Sequence, residues 1–120
     1  MSQRRILIVE DDEDLRAALA DAMRSSGVEV EVAADGIDAL ERLRAGPCPA
    51  VVLLDLRLPR LNGQAFLDGL RADARFEHLP VITMTAGAVR AEGDDSARLQ
   101  RPVDVDDLRR IVESLIEAAA

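Results

Sequence analysis

Two apolar runs in this chain end in acids and a third ends in a hydroxyl. Val51-Val-Leu-Leu54 meets Asp55, and Arg5-Ile-Leu-Ile-Val9 is followed by Glu10, Asp11 and Asp12. Val81-Ile-Thr-Met closes on Thr85. Apolar runs without polar alternation suit strands covered on both faces, as in a parallel sheet between helices. In open α/β sheets ligands bind outside the carboxyl ends of strands. That placement makes Glu10, Asp11, Asp55 and Thr85 candidate site residues, with Arg101 following a weaker fifth run, Ala97 to Arg101. Converging carboxylates repel, a cost relieved by protonating one or by setting a divalent cation among them. A few hard oxygen ligands favour Mg²⁺, which keeps several waters and completes its shell with phosphate oxygens. An aspartate beside such a metal can attack phosphorus and become an acyl phosphate, while metal, hydroxyl and cation spread the charge of the moving phosphoryl group. A lone strand-end aspartate can equally be a turn or capping residue, so the convergence carries the reading.

The elements that must position these residues follow from periodicity. Glu13 to Ser26 places Leu15, Ala18, Leu19, Ala22 and Met23 at helical spacing, and Gly27 can end that helix in a left-handed conformation. Val28 to Val32 alternates strictly with glutamate, which predicts a strand near a sheet edge. Asp35 can cap a second helix that turns Ile37, Leu40 and Leu43 inward and closes at Gly46-Pro47. A polar loop from Arg57 to Gly63 precedes a third helix with Ala65, Phe66, Gly69 and Leu70 on one face. Gly87, Gly93 and Asp94-Asp95 break any long amphipathic face between Ala86 and Ala97, so at most a short helix fits there. Asp104 to Glu117 carries the clearest helical pattern, in Leu108, Ile111, Val112, Leu115 and Ile116. Strands and helices alternate, which predicts an α/β fold with a parallel sheet and right-handed crossovers.

Composition narrows the classes of function. With 120 residues and 48% hydrophobic content, residues 1–120 are expected to form one domain around one sheet. The net charge of −8 and scattered arginines disfavour direct binding to nucleic acid or to anionic lipid. No apolar stretch approaches a membrane span and Met1 to Glu10 lacks a secretory pattern, so a cytoplasmic protein is expected. Cys48 is the sole cysteine, which excludes an internal disulfide. His78, the sole histidine, reads as a loop residue, and Asp104, Asp106 and Asp107 suit a helix N-terminus. All 15 basic residues are arginine.

IVEDD after the first strand, LLDLRLPRLNG around Asp55, TMTA, and the late Arg101-Pro102-Val103 together resemble the receiver domain of two-component response regulators, over essentially the whole chain. The resemblance implies a doubly wound, flavodoxin-like and CheY-like sheet of five parallel strands in the order 2-1-3-4-5, with Mg²⁺ as cofactor. It also implies that Asp55 is the phosphoacceptor, loaded by a sensor histidine kinase or a phosphotransfer protein, and that an unidentified downstream protein partner reads the change. Asp11 corresponds to the direct metal ligand, Glu10 to a residue acting nearby or through water, and Arg57 to the position whose backbone carbonyl coordinates metal. Thr85 corresponds to the hydroxyl that bonds the phosphoryl group, with Ala86 small beside it. Pro59 and Gly63 shape the loop.

Three features depart from the family. Arg101 stands where a lysine is usual, and a planar guanidinium does not reproduce a compact ammonium. Arg98 replaces a common aromatic, and the stretch between Thr85 and Arg101 is short, which implies a shortened or degenerate fourth helix. A pseudo-receiver that binds partners without phosphate therefore stands as the alternative to a phosphorylatable switch. A phosphatase using an aspartate nucleophile would want a second acid two residues after Asp55, where Arg57 stands.

Overall fold

The computed structural model describes residues 4–57, 62–85, 97–100 and 103–119, with 85, 97–100 and 119 described through the backbone alone. The order is β1 (Arg5–Val9), α1 (Glu13–Ser25), β2 (Glu29–Ala33), α2 (Gly36–Ala45), β3 (Val51–Asp55), α3 (Gly63–Ala72), β4 (Val81–Thr85), β5 (Ala97–Gln100) and α4 (Val105–Ala119). The core of the sheet is β2-β1-β3-β4, all parallel, and the short β5 pairs with β4 at its edge. The segment expected to hold a stunted helix, 86–96, lies outside the described residues, so α4 is the C-terminal helix.

Each central strand feeds two cores because successive side chains point to opposite faces. Leu7, Val9, Val52, Leu54 and Val81 pack with Ala39 and Leu43 of α2 and Phe66, Leu67 and Leu70 of α3. Ile6, Ile8, Val51, Leu53, Ile82 and Met84 pack with Leu19 and Met23 of α1 and with Leu108, Val112 and Ile116 of α4. Full burial of each such aliphatic chain stabilises by about 1.5–3 kcal/mol, which explains the unbroken apolar runs of β1 and β3. Strand β2 alternates because it is the edge. Its Glu29 and Glu31 face Arg5, at 2.8 and 3.5 Å, and charged side chains discourage pairing with another sheet.

Local punctuation follows the sequence closely. Gly27 adopts a φ of 81° after α1. Asp35 accepts from the Asp38 N–H at 2.8 Å and caps α2. Asp104 accepts from the Asp106 and Asp107 N–H groups at 2.9 and 3.2 Å, and Asp106 and Asp107 lie in the first turn of α4, where acids favour a helix N-terminus. Two faces differ from expectation. Ala18 and Gly69 are exposed, whereas the helical pattern turned both inward. Helix α1 rolls so that Leu19, Ala20 and Met23 are its buried residues, and α3 buries Phe66, Leu67 and Leu70. Burying Leu19 and Met23 of α1 and Phe66, Leu67 and Leu70 of α3 removes more apolar area from water than burying Ala18 or Gly69 would.

Candidate functional site

The carboxyl ends of β1 and β3 lie side by side, with Val9 opposite Leu54 in the parallel register. The next residues along both strands therefore emerge at the same edge of the sheet. Oxygens of Glu10, Asp11 and Asp55 lie within 4.8 Å of one another. Glu10 is 1% exposed and Asp55 3%, while Asp11 is exposed and closes the group from the solvent side. Holding three carboxylates this close, two of them out of water, is costly without positive charge nearby. An all-oxygen set of this size suits Mg²⁺ and leaves room for phosphate oxygens.

The chain around the acids is tied down residue by residue. The Arg57 N–H donates to Asp55 Oδ1 at 2.9 Å and fixes the plane of that carboxylate. The Leu56 N–H donates to the Met84 carbonyl at 3.2 Å, which links the loop after Asp55 to the end of β4. The Gly63 N–H donates to the Leu56 carbonyl, also at 3.2 Å, and seats the start of α3 against the same turn. A Cβ on Gly63 would lie 2.7 Å from the Asp55 carbonyl oxygen and collide with the Leu56 Cα, so only glycine fits there. The expectation that Gly63 shapes the loop thus has a steric cause.

Asp12, the third acid after β1, has a different job. Its N–H donates to Glu10 Oε2 at 3.2 Å, and its Oδ1 accepts from the Leu15 N–H at 3.1 Å as the N-cap of α1. Asn62 does the same for α3, accepting from the Ala65 N–H at 2.8 Å. Neither cap was singled out from the sequence, though an Asp or Asn just before a helical pattern is a recognisable start signal.

Of the other expected positions, the Thr85 backbone ends β4 beside β3, where Asp55 is in register with Met84. Its side chain, the Arg98 side chain, Pro59, Ala86, Arg101 and Pro102 lie outside the described residues. Arg57 itself is exposed and meets Asp55 through its backbone N–H. His78 is exposed in the loop before β4, as expected of a loop residue.

Residues 6–113 match the family described as response regulator receiver domain. The chain belongs to that family. It is a receiver domain of two-component systems, and the Glu10, Asp11 and Asp55 cluster fits that family's phosphoacceptor site. Response regulator Rre1 of Synechocystis sp. is 35% identical over 118 residues, covering 92% of this chain and 51% of that protein. Sensor histidine kinase TmoS of Ectopseudomonas mendocina is 30% identical over 125 residues, covering 95% of this chain and 12% of the kinase. This receiver thus spans at most about half the length of those relatives, and receivers occur there both in regulators and joined to kinases. Among solved structures, the receiver domain of sensor histidine kinase PA1611 from Pseudomonas aeruginosa PAO1 superposes with a TM-score of 0.85 at 29% identity, covering 96% of this receiver and 98% of that chain. That structure has a magnesium ion coordinated in its active site cleft. Among the described residues of the present receiver, no helix is long and apolar enough to cross a membrane.

Proposed function

We propose that residues 1–120 act as one phosphorylatable cytoplasmic receiver that takes a phosphoryl group onto Asp55 from a phosphohistidine of a sensor histidine kinase or phosphotransfer protein. The modified face then changes its affinity for a downstream protein. The observation that carries this reading is the convergence of Glu10, Asp11 and Asp55 within 4.8 Å at the carboxyl edge of two central strands.

The step is a displacement at phosphorus. An Asp55 carboxylate oxygen attacks, the P–O bond forms as the P–N bond breaks, and the electron pair leaves on the imidazole nitrogen of the donor. The Arg57 N–H holds Oδ1, so the carboxylate is oriented before the donor arrives and less freedom is lost on the way to the transition state. Glu10, Asp11, Asp55 and the Arg57 carbonyl would hold Mg²⁺, which when bound would neutralise charge on the phosphoryl oxygens. We assign Thr85 as hydroxyl donor to the phosphoryl group and Arg101 as its cation, the guanidinium replacing the usual lysine at that place.

A Mg²⁺ titration followed by amide NMR tests the metal half of this reading. Saturable shifts are expected at residues 10–12 and 55–57, weakened at least tenfold in Asp11→Asn. Equal affinity in wild type and variant would place the ion elsewhere and remove the support for this site.

A further inference from the structure

Asp11 is the exposed member of the acidic group, so its direction depends on the backbone on either side more than on packing. Both flanking peptide groups are held. The peptide after Asp11 is held by its N–H, which Asp12 donates to Glu10 Oε2 at 3.2 Å. The peptide before Asp11 is held by its carbonyl, on Glu10, which accepts from Arg16 Nη1 at 2.9 Å. Arg16 lies half-buried on the first turns of α1, and its own N–H donates to the Asp12 carbonyl at 2.8 Å. At the other end of the segment, the Glu10 N–H donates to the Ala33 carbonyl of β2 at 3.0 Å. Residues 10–12 are therefore a short span anchored to β2 at one end and to α1 at the other. Arg16 is the side chain that closes the span onto the helix.

We infer that Arg16 is a positioning residue for the metal site: its guanidinium fixes the Glu10–Asp11 peptide and thereby aims the Asp11 carboxylate at Glu10 and Asp55. This inference rests on the proposed Mg²⁺ site. The sign of the effect separates positioning from simple charge. A guanidinium near the acids repels a cation, so if its charge alone mattered, removing it would tighten Mg²⁺ binding. Positioning demands the opposite, because a hydrogen bond that orients a ligand typically contributes ten- to a hundredfold to metal affinity.

The test uses Arg16→Met, which keeps the stem and loses donor and charge, and Arg16→Lys, which keeps the charge and an N–H donor group on a compact ammonium. Mg²⁺ affinity, urea unfolding of the metal-free protein and amide exchange of Asp12 without metal are measured for each. Arg16→Met is expected to bind Mg²⁺ about tenfold more weakly, with Asp12 exchange faster and the metal-free midpoint near wild type. Arg16→Lys is expected to recover part of both losses. Unchanged or tighter Mg²⁺ binding in Arg16→Met overturns the inference, as does a weakening matched by an equal loss of global stability. If wild type binds no Mg²⁺, the proposed function fails first, and Asp12 exchange then decides alone: unchanged in Arg16→Met, the bracing role is lost as well.

Discussion

Single residues at this site are chosen by distance as much as by chemistry. Gly63 shows it most plainly, since the backbone of Asp55 and Leu56 occupies the space a side chain would need. Gly63→Ala is expected to destabilise the fold by about 1–3 kcal/mol, the usual cost of overpacking a closed region, and to slow phosphorylation by displacing the Asp55 loop. Urea unfolding compared with wild type checks the first effect, and an unchanged midpoint would contradict the packing account. The three acids after β1 divide the work in a way their adjacency in sequence conceals. Glu10 is buried and also accepts from the Asp12 N–H, Asp11 faces the cluster from solvent, and Asp12 caps a helix. The pairing of Glu10 and Asp11 with Asp55 was legible because strand ends in a parallel sheet share one edge. The Arg16 contact was not, because a side chain bonding a carbonyl six residues back leaves no periodic trace.

Elements show the same division between pattern and placement. The apolar runs of β1 and β3, the alternation of β2 and the cap at Asp35 follow from local rules, and the strands and helices fall close to their expected bounds. The roll of a helix about its axis does not follow from them, since it is set by which large side chains its neighbours can accommodate. Gly69 is the clearest case: a residue of the apparent apolar face lies exposed on α3, with nothing within 4 Å of the place a Cβ would take. Gly69→Ala is accordingly expected to stabilise the protein by about 0.5–1 kcal/mol through helix propensity, read as a higher urea midpoint at unchanged slope. A lower midpoint would mean that the face is covered. Equally invisible in sequence is the staple after α3, where Arg71 Nη1 donates to the carbonyls of Phe76 and Leu79 at 3.0 and 2.8 Å and folds the loop back before β4.

Across the whole molecule, the start of the first strand is joined to the last helix. Arg4 donates to both carboxylate oxygens of Glu113, at 2.6 and 3.1 Å. The hydrogen bond from Arg4 holds the Glu113 carboxyl below its ordinary value of 4.5. A lowered value in the fold means that the contribution is whole above 4.5 and is lost as pH falls through the lowered value. The pair is well exposed, so screening keeps the effect small. Glu113→Gln is expected to lower the urea midpoint slightly at pH 7 and to match wild type under strongly acidic conditions; an equal deficit at both would show that the charge is not the cause. The central claim, that the acids gathered by this fold make Asp55 a phosphoacceptor, is tested most directly by intact mass after incubation with Mg²⁺ and a small-molecule phosphodonor. A single phosphoryl adduct is expected, absent in Asp55→Asn and absent when the metal is chelated. No adduct on wild type, together with no amide shifts on adding beryllofluoride, would contradict the claim and leave a receiver fold that binds its partner without phosphate.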